Sequence, residues 1–210
     1  MQVSLWMTPK PFCVSSEDKL DTVAEALNAG GFRRAPVIDA DGRLLGIVTD
    51  RDLREHKGYL SSSKVSAAMT EPALAVTAGD PIERAAELLL AHKIGGLPVV
   101  DEQQRVVGVI TETDLLCGFL DATCPGEGAV RVDFACGASA GVLGAAVHAV
   151  EAAGGTVLGA GTFQPSDRGG ERRYYLRFVT AAALEPVLDS LRRYGCEVTA
   201  IHRPRPAEAA

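Results

Sequence analysis

Residues 3–53 and 65–115 carry one pattern twice, at a constant offset of 62 positions and without a gap. Met7-Thr8 falls on Met69-Thr70, Asp18 on Asp80 and Pro36-Val37 on Pro98-Val99, while Gly46, Thr49, Asp52 and Leu53 fall on Gly108, Thr111, Asp114 and Leu115. A unit of about 60 residues encloses too little core to stand well alone. Two copies that share a face solve that problem, and they form one body with a pseudo-twofold axis and a cleft between them.

Apolar periodicity sets the elements of each copy. Leu20, Val23, Ala24, Ala26 and Leu27 recur at helical spacing after Asp18, which stands where a helix N-cap would. The second copy has Asp80, Pro81 in the first turn, then Ile82, Ala85, Ala86, Leu88 and Leu89. Two short apolar runs follow, 35–38 and 44–48 in the first copy, 97–100 and 106–110 in the second, and Asp41-Gly42 is a hairpin signal. A further helix begins after Thr49 or Thr111. Each copy therefore reads β-α-β-β-α.

Chemistry concentrates at the last strand-to-helix junction. Gly46 and Gly108 permit close backbone approach. Thr49 and Thr111 stand at the helix start, each with a hydroxyl able to cap the helix or meet a phosphate. Asp52 and Asp114 lie one turn on, and a carboxylate can accept both hydroxyls of a ribose diol. The same Thr and Asp pair is also an ordinary cap for exposed amides, and both readings stay open. The copies differ nearby: Arg33-Arg34 corresponds to Gly95-Gly96 and Arg51 to Thr113, which predicts unequal capacity for phosphate.

The doubled pattern of Val-Ser before Met-Thr, the Pro-Val-(Ile/Val)-Asp run and the Gly-x-x-Thr-x-x-Asp ending resembles a tandem pair of CBS domains, the Bateman module, over more than half of the chain. The resemblance implies an adenosine-containing ligand such as AMP, ADP, ATP or S-adenosylmethionine, with no cofactor required. It makes Thr49, Asp52, Thr111 and Asp114 phosphate or ribose contacts, Val37 and Val99 the sides of a base sandwich, and Arg34 and Arg51 further nucleotide-binding candidates.

The pattern changes after the pair, which is assigned to residues 1–122. A linker at 123–128 holds Pro125 and two glycines. Then come a β-run at 130–135, an amphipathic stretch at 140–153 stopped by Gly154-Gly155, a β-run at 156–163, a turn-rich segment at 164–170, and a β-run at 173–179. A helix at 182–194, a last β-run at 197–202 and a polar tail at 205–210 complete a ferredoxin-like βαββαβ domain over 129–204. With Ala140-Gly141-Val142-Leu143-Gly144 opening its first helix, this domain resembles an ACT domain, in which backbone amides near Gly141 and Val142 are amino-acid-binding candidates. Ala138 and Ala140 stand where that family often has an acidic residue and a proline. The fold class is α/β (α+β), and a CBS pair followed by an ACT-like domain resembles bacterial acetoin-utilisation regulatory proteins.

Charge and inventory narrow the function. Net charge is −6, and the acidic surplus lies in the repeated half, an unfavourable composition for nonspecific binding to nucleic acid. No apolar run suits a membrane span or a secretion signal. The five cysteines, Cys13, Cys117, Cys124, Cys136 and Cys196, form no CxxC pair and read as reduced packing thiols in a cytoplasmic protein. His56, His92, His148 and His202 have no second ligand at metal spacing. Nucleophile-elbow, HExxH, Walker and Rossmann motifs are absent, so neither catalytic residues nor a metal site is expected. The expectation is a noncatalytic regulator that senses an adenosine ligand and transmits occupancy through the ACT-like domain or its oligomeric state. The alternatives are an interaction module with empty CBS sites, or an amino-acid sensor. An uncharged β-run at 156–163 and unpartnered helical faces point to a homodimer; the regulated protein partner is not specified by the sequence.

Overall fold

A computed structural model describes residues 1–123, 128–136, 141–163, 172–179 and 184–203. The chain divides into two compact units, Met1–Gly118 and Phe119–Ala210. That division falls ahead of the expected linker at 123–128, of which residues 124–127 lie outside the described residues, as do the 164–170 segment and the 205–210 tail.

The first copy runs through a 3-10 turn (Val3–Leu5), β1 (Thr8–Pro9), β2 (Val14–Ser15), α1 (Leu20–Gly30), β3 (Arg34–Ile38), β4 (Leu44–Thr49) and α2 (Asp50–Glu55). The second runs through a 3-10 turn (Val65–Ala67), β5 (Val76–Thr77), α3 (Ile82–His92), β6 (Gly96–Val100), β7 (Val106–Thr111) and α4 (Glu112–Thr123). In each copy two strands form an antiparallel hairpin, β3 with β4 and β6 with β7, and a short strand joins in parallel. The helical stripes Leu20, Val23, Leu27 and Ile82, Ala85, Leu89 are buried as their spacing predicts.

The copies of the sequence are not the packing bodies in space. Val3, fully buried, joins Val76, Ile82, Leu97 and Ile110 in the core of the second copy, with Trp6 and Met7 alongside. Its N–H donates to Asp80 O at 2.9 Å, and β1 pairs with β7, Thr8 opposite Val109. Reciprocally, Val65 joins Val14, Leu20, Val37 and Val48, its N–H donates to Asp18 O at 2.9 Å, and Thr70 bridges Ile47. Each copy lends its opening segment to the other. Near the pseudo-twofold axis, Leu44 N–H donates to Gln104 O at 2.9 Å and Val106 N–H to Gly42 O at 3.0 Å, two bonds related by the same offset.

The lent segments explain Gly46 and Gly108. A Cβ at Gly46 would stand 2.8 Å from Thr70 O, and one at Gly108 would stand 2.6 Å from Met7 Sδ, so the close approach is made by the chain itself. The expected N-caps are corrected. Asp18 Oδ2 accepts the Ser15 N–H at 2.8 Å and Asp80 Oδ2 the Thr77 N–H at 2.7 Å, so these carboxylates close the turns before the helices, whose N-caps are Lys19 and Pro81.

The second unit contains β8 (Ala129–Ala135), α5 (Val142–Ala152), β9 (Thr156–Phe163), β10 (Arg173–Val179), α6 (Leu184–Arg193) and β11 (Glu197–His202), an antiparallel sheet in the order β11-β8-β10-β9 with β9 at an edge. Val130, Val132 and Phe134 of β8 and Tyr174, Leu176 and Phe178 of β10 form one core with Val142, Ala146 and Val150 of α5 and Val187, Leu188 and Leu191 of α6. The intervening Arg131 and Asp133 pair at 2.7 Å on the other face.

The cysteine reading is corrected here. Cys136 and Cys196 form a disulfide with a Cα–Cα distance of 4.4 Å. Ala135 of β8 lies opposite Glu197 of β11, so the next positions outward face each other across the sheet end, a relation that sequence spacing does not reveal. Cys13 and Cys117 are free thiols, and burial pushes the Cys13 thiol up from its ordinary value. Cys124 lies outside the described residues.

Candidate functional site

Strand β4 passes directly into α2, and β7 into α4, so Thr49 and Thr111 end a strand and start a helix at once. Asp52 Oδ2 accepts the Thr49 N–H at 2.8 Å and its hydroxyl at 2.7 Å, while Thr49 Oγ1 accepts the Asp52 N–H at 3.3 Å. The second copy repeats this: Asp114 Oδ2 accepts the N–H and the hydroxyl of Thr111, each at 2.7 Å, and Thr111 Oγ1 accepts the Asp114 N–H at 3.4 Å. Both are reciprocal capping boxes. Among the described residues, no donor is bonded to Oδ1 of either carboxylate, which leaves an acceptor for a ligand hydroxyl.

A cavity of about 510 Å³ lies where the two copies and the first lent segment meet. That segment contributes Thr8, Lys10, Pro11 and Phe12; the first copy contributes Gly31, Phe32, Arg33, Arg34 and Pro36; the second contributes Gly95, Val109, Thr111, Glu112 and Thr113. Its size suits a small organic ligand such as a nucleotide. Phe12 and Phe32 stack with centroids 6.1 Å apart and planes 12° from parallel, and both stay partly exposed.

Arg34 enters from the start of β3 and crosses to the second copy, where Nη1 donates to Gly96 O at 3.1 Å. Burial pulls its guanidinium below the ordinary arginine value, the Glu112 and Asp50 carboxylates push it back up, and Arg33 adds repulsion. An arginine so placed remains a cation at neutral pH.

The expected site residues separate into groups. Arg34 and Thr111 meet at one cavity although they belong to different copies. Thr49 and Asp52 occupy the pseudo-equivalent junction, and Asp114 stands one turn beyond Thr111. Arg51 is 80% exposed and pairs with Glu55 at 3.2 Å on α2. Val37 and Val99 are corrected as base-sandwich candidates: each has no exposed surface, because its side chain is committed to the core of its own hairpin. Pro36, beside Val37, reaches the cavity instead. In the second unit Gly141 is exposed with φ +87° at the start of α5, and the Val142 side chain is in the core. Ala138 and Ala140 lie outside the described residues.

Sequence reasoning missed Lys10, Phe12 and Phe32. Their signal was a difference between the copies, which carry Pro72, Leu74 and Ile94 at the matching positions. Among the described residues, no group of three or more His, Cys, Asp or Glu could hold a metal, and no helix is long and apolar enough to cross a membrane.

The CBS domain family matches residues 2–58 and 65–120. A CBS domain-containing protein of Dictyostelium discoideum is 35% identical over 123 residues, 52% of this chain and 85% of that one. An uncharacterized protein of Methanocaldococcus jannaschii, MJ1225, is 33% identical over 113 residues, 47% of this chain but only 40% of that one. Among solved structures, CBSX2 of Arabidopsis thaliana in complex with AMP is 31% identical with a TM-score of 0.52, covering 57% of this chain and 96% of that one. The CBS domain pair of protein MJ0100, in complex with 5′-methylthioadenosine and S-adenosyl-L-methionine, is 25% identical with a TM-score of 0.53, covering 57% and 95%. A protein from Vibrio cholerae assigned to acetoin utilization is 28% identical with a TM-score of 0.52, covering 58% and 91%.

Proposed function

The chain belongs to the CBS domain family, and on that premise we propose that it is a noncatalytic regulator taking an adenosine-containing ligand in the cavity between its two repeats. The observation that carries this reading is the cavity itself, which is lined by residues of both copies, Thr111 among them, with Asp114 hydrogen-bonded to Thr111 just beyond the lining. A ligand held there touches both repeats, so occupancy biases how they pack. The AMP complex of CBSX2 and the nucleoside complexes of the MJ0100 pair support the ligand class.

Helix α4 offers a route for the signal. Its first turn supplies Glu112 and Thr113 to the cavity, and its last residues belong to the second unit, within which Arg177 donates to Asp121 O at 3.2 Å and Arg131 to Thr123 O at 3.2 Å. The second unit acts in this reading as an ACT-like output domain. The chain works as a homodimer, supported by exposed Leu116, Phe119 and Leu120 on α4 and by the uncharged edge strand β9.

Calorimetry and thermal shift with AMP, ADP, ATP, adenosine and S-adenosylmethionine test the ligand. At a hundredfold excess over its Kd a ligand adds about 2.7 kcal/mol, several degrees of melting temperature at this size. Because each carboxylate also caps a helix, Asp114→Asn separates the roles: an acceptor for the cap remains while the charged acceptor for ribose is lost. Affinity falls by about 1.5 to 3 kcal/mol with little change in melting. Failure of every adenosine compound to bind at millimolar concentration overturns the proposal.

A further inference from the structure

Helix α4 is longer than its counterpart: α2 ends at Glu55, whereas α4 runs on to Thr123 and carries a buried glycine, Gly118, in its middle. Glycine inside a helix is unfavourable relative to alanine. Its neighbour supplies the reason. A Cβ at Gly118 would stand 3.3 Å from both Cδ2 and Cε2 of Trp6, so the indole lies over bare helix backbone. Granted that the cavity is an adenosine site, we infer that Trp6 is the residue that transmits its occupancy to α4, through this contact on Gly118.

Two elements that line the cavity meet again at this contact. The lent segment gives the cavity Thr8, Lys10, Pro11 and Phe12, and the start of α4 gives it Thr111, Glu112 and Thr113. Trp6 precedes Thr8 in that segment and does not itself line the cavity. Gly118 follows Asp114 at i+4 and lies roughly two turns beyond Thr111, on the same face of the helix. The segment is tied along its length: the Val3 N–H donates to Asp80 O at 2.9 Å, the Trp6 N–H to Val3 O at 3.0 Å and the Lys10 N–H to Val107 O at 3.1 Å. A displacement at its cavity end is therefore carried to the indole.

The contact is stiff toward the helix and free otherwise. Pressed toward Gly118, the ring meets backbone, which has no rotamer to take up the motion. No hydrogen bond pins the ring in place, since its enclosed Nε1 meets no acceptor among the described residues. Packing alone holds it, in the core of the second copy with Val3, Ile82 and Leu97, so it moves with the segment that carries it. Gly118 is also the last residue of the first unit, and α4 continues from it into the second. The first copy has no equivalent: the counterparts of Trp6 and Gly118 are Ala68 and His56, and His56 lies beyond the end of α2. Transmission is confined to one of the two pseudo-equivalent places.

Trp6 is the only tryptophan of the chain, so its emission reports on this contact alone. The full chain is titrated with AMP and with S-adenosylmethionine. Calorimetry gives the affinity, tryptophan emission the state of the contact, and peptide-resolved hydrogen exchange the response of residues 116–123. Binding of either compound shifts the emission with the calorimetric midpoint and changes protection at 116–123. In Trp6→Phe the response at 116–123 falls by about half or more, while affinity stays within about fivefold of the parent, the lower end of ordinary coupling between sites. Gly118→Ala keeps the fluorophore; its free-state emission already lies toward that of the bound parent, and ligand changes it less. A merely structural Trp6 would lower the melting temperature of Trp6→Phe and leave the response at 116–123 per bound ligand intact, which overturns the inference. Binding that leaves both emission and protection at 116–123 unchanged also overturns it, with the adenosine site standing. If neither compound binds, the site and the coupling fall together.

Discussion

The two units close their small cores by different means. In the first, each repeat borrows its opening segment from the other, so that Val3 fills the core of the second copy and Val65 that of the first. In the second, one sheet with two helices is fastened by the bond between Cys136 and Cys196 at the end of strands β8 and β11. Domains of this size bury a modest fraction of their surface and gain from any device that restrains the unfolded chain or adds core. A duplicated unit can exchange segments; a single unit cannot, and a covalent tie serves instead. Exchange also brings residues of both copies to one cavity, so in the first unit the device that stabilises the fold also builds that cavity.

The largest effect should come from cutting the covalent device. The bond spans 60 residues, and the chain-entropy relation gives about 4 kcal/mol for a loop of that length. Reduction, or Cys136→Ser with Cys196→Ser, should lower protection from hydrogen exchange in β8 and β11 and leave the segments around Val3 and Val65 unchanged. Thiol titration of the unreduced, denatured chain should find three thiols, the five cysteines less the bonded two. Five thiols, or a melting curve indifferent to reductant, would remove the disulfide from the comparison.

What could be read from the sequence follows the same division. Strands β9, β10 and β11 begin and end where the glycines and polar turns set them, because punctuation is local. The Thr and Asp junctions were readable because they recur in register. Exchange was not readable: periodicity tells which face of Val3 and Val65 is buried, and never by which copy. The disulfide was hidden for a related reason, since Cys136 and Cys196 face each other only once β8 and β11 have paired. Val37 and Val99 were misread because the Pro-Val strand is buried on both sides, leaving Pro36 to reach the cavity. Phe12 and Lys10 sit where the copies diverge, so a search for repetition passes over them.

A medium effect tests the exchange. Val3→Ala and Val65→Ala each remove two buried methyl groups and leave a cavity, a loss of about 2 to 3 kcal/mol. The location of the loss matters more than its size. Val3→Ala should loosen α3, β6 and β7 of the second copy, and Val65→Ala should loosen α1, β3 and β4 of the first, as read by peptide-resolved hydrogen exchange. Loosening within the copy that carries the substitution would mean the segments are not lent.

The smallest effect distinguishes the two lent segments from each other. At Gly46 an added methyl meets Thr70 O at 2.8 Å, and that carbonyl is already fixed by accepting the Ile47 N–H at 3.1 Å. At Gly108 the nearest atom is Met7 Sδ at 2.6 Å, the end of a flexible thioether that can turn aside, with Thr8 O further off at 3.1 Å. Gly46→Ala must displace backbone and should cost about 2 kcal/mol, whereas Gly108→Ala should cost about 1 kcal/mol. Denaturant midpoints of the two variants, at equal slope, decide the order. If Gly108→Ala proved the costlier, Met7 would be held as rigidly as the Thr70 backbone, and the two exchanged segments would be equivalent anchors despite their different neighbours.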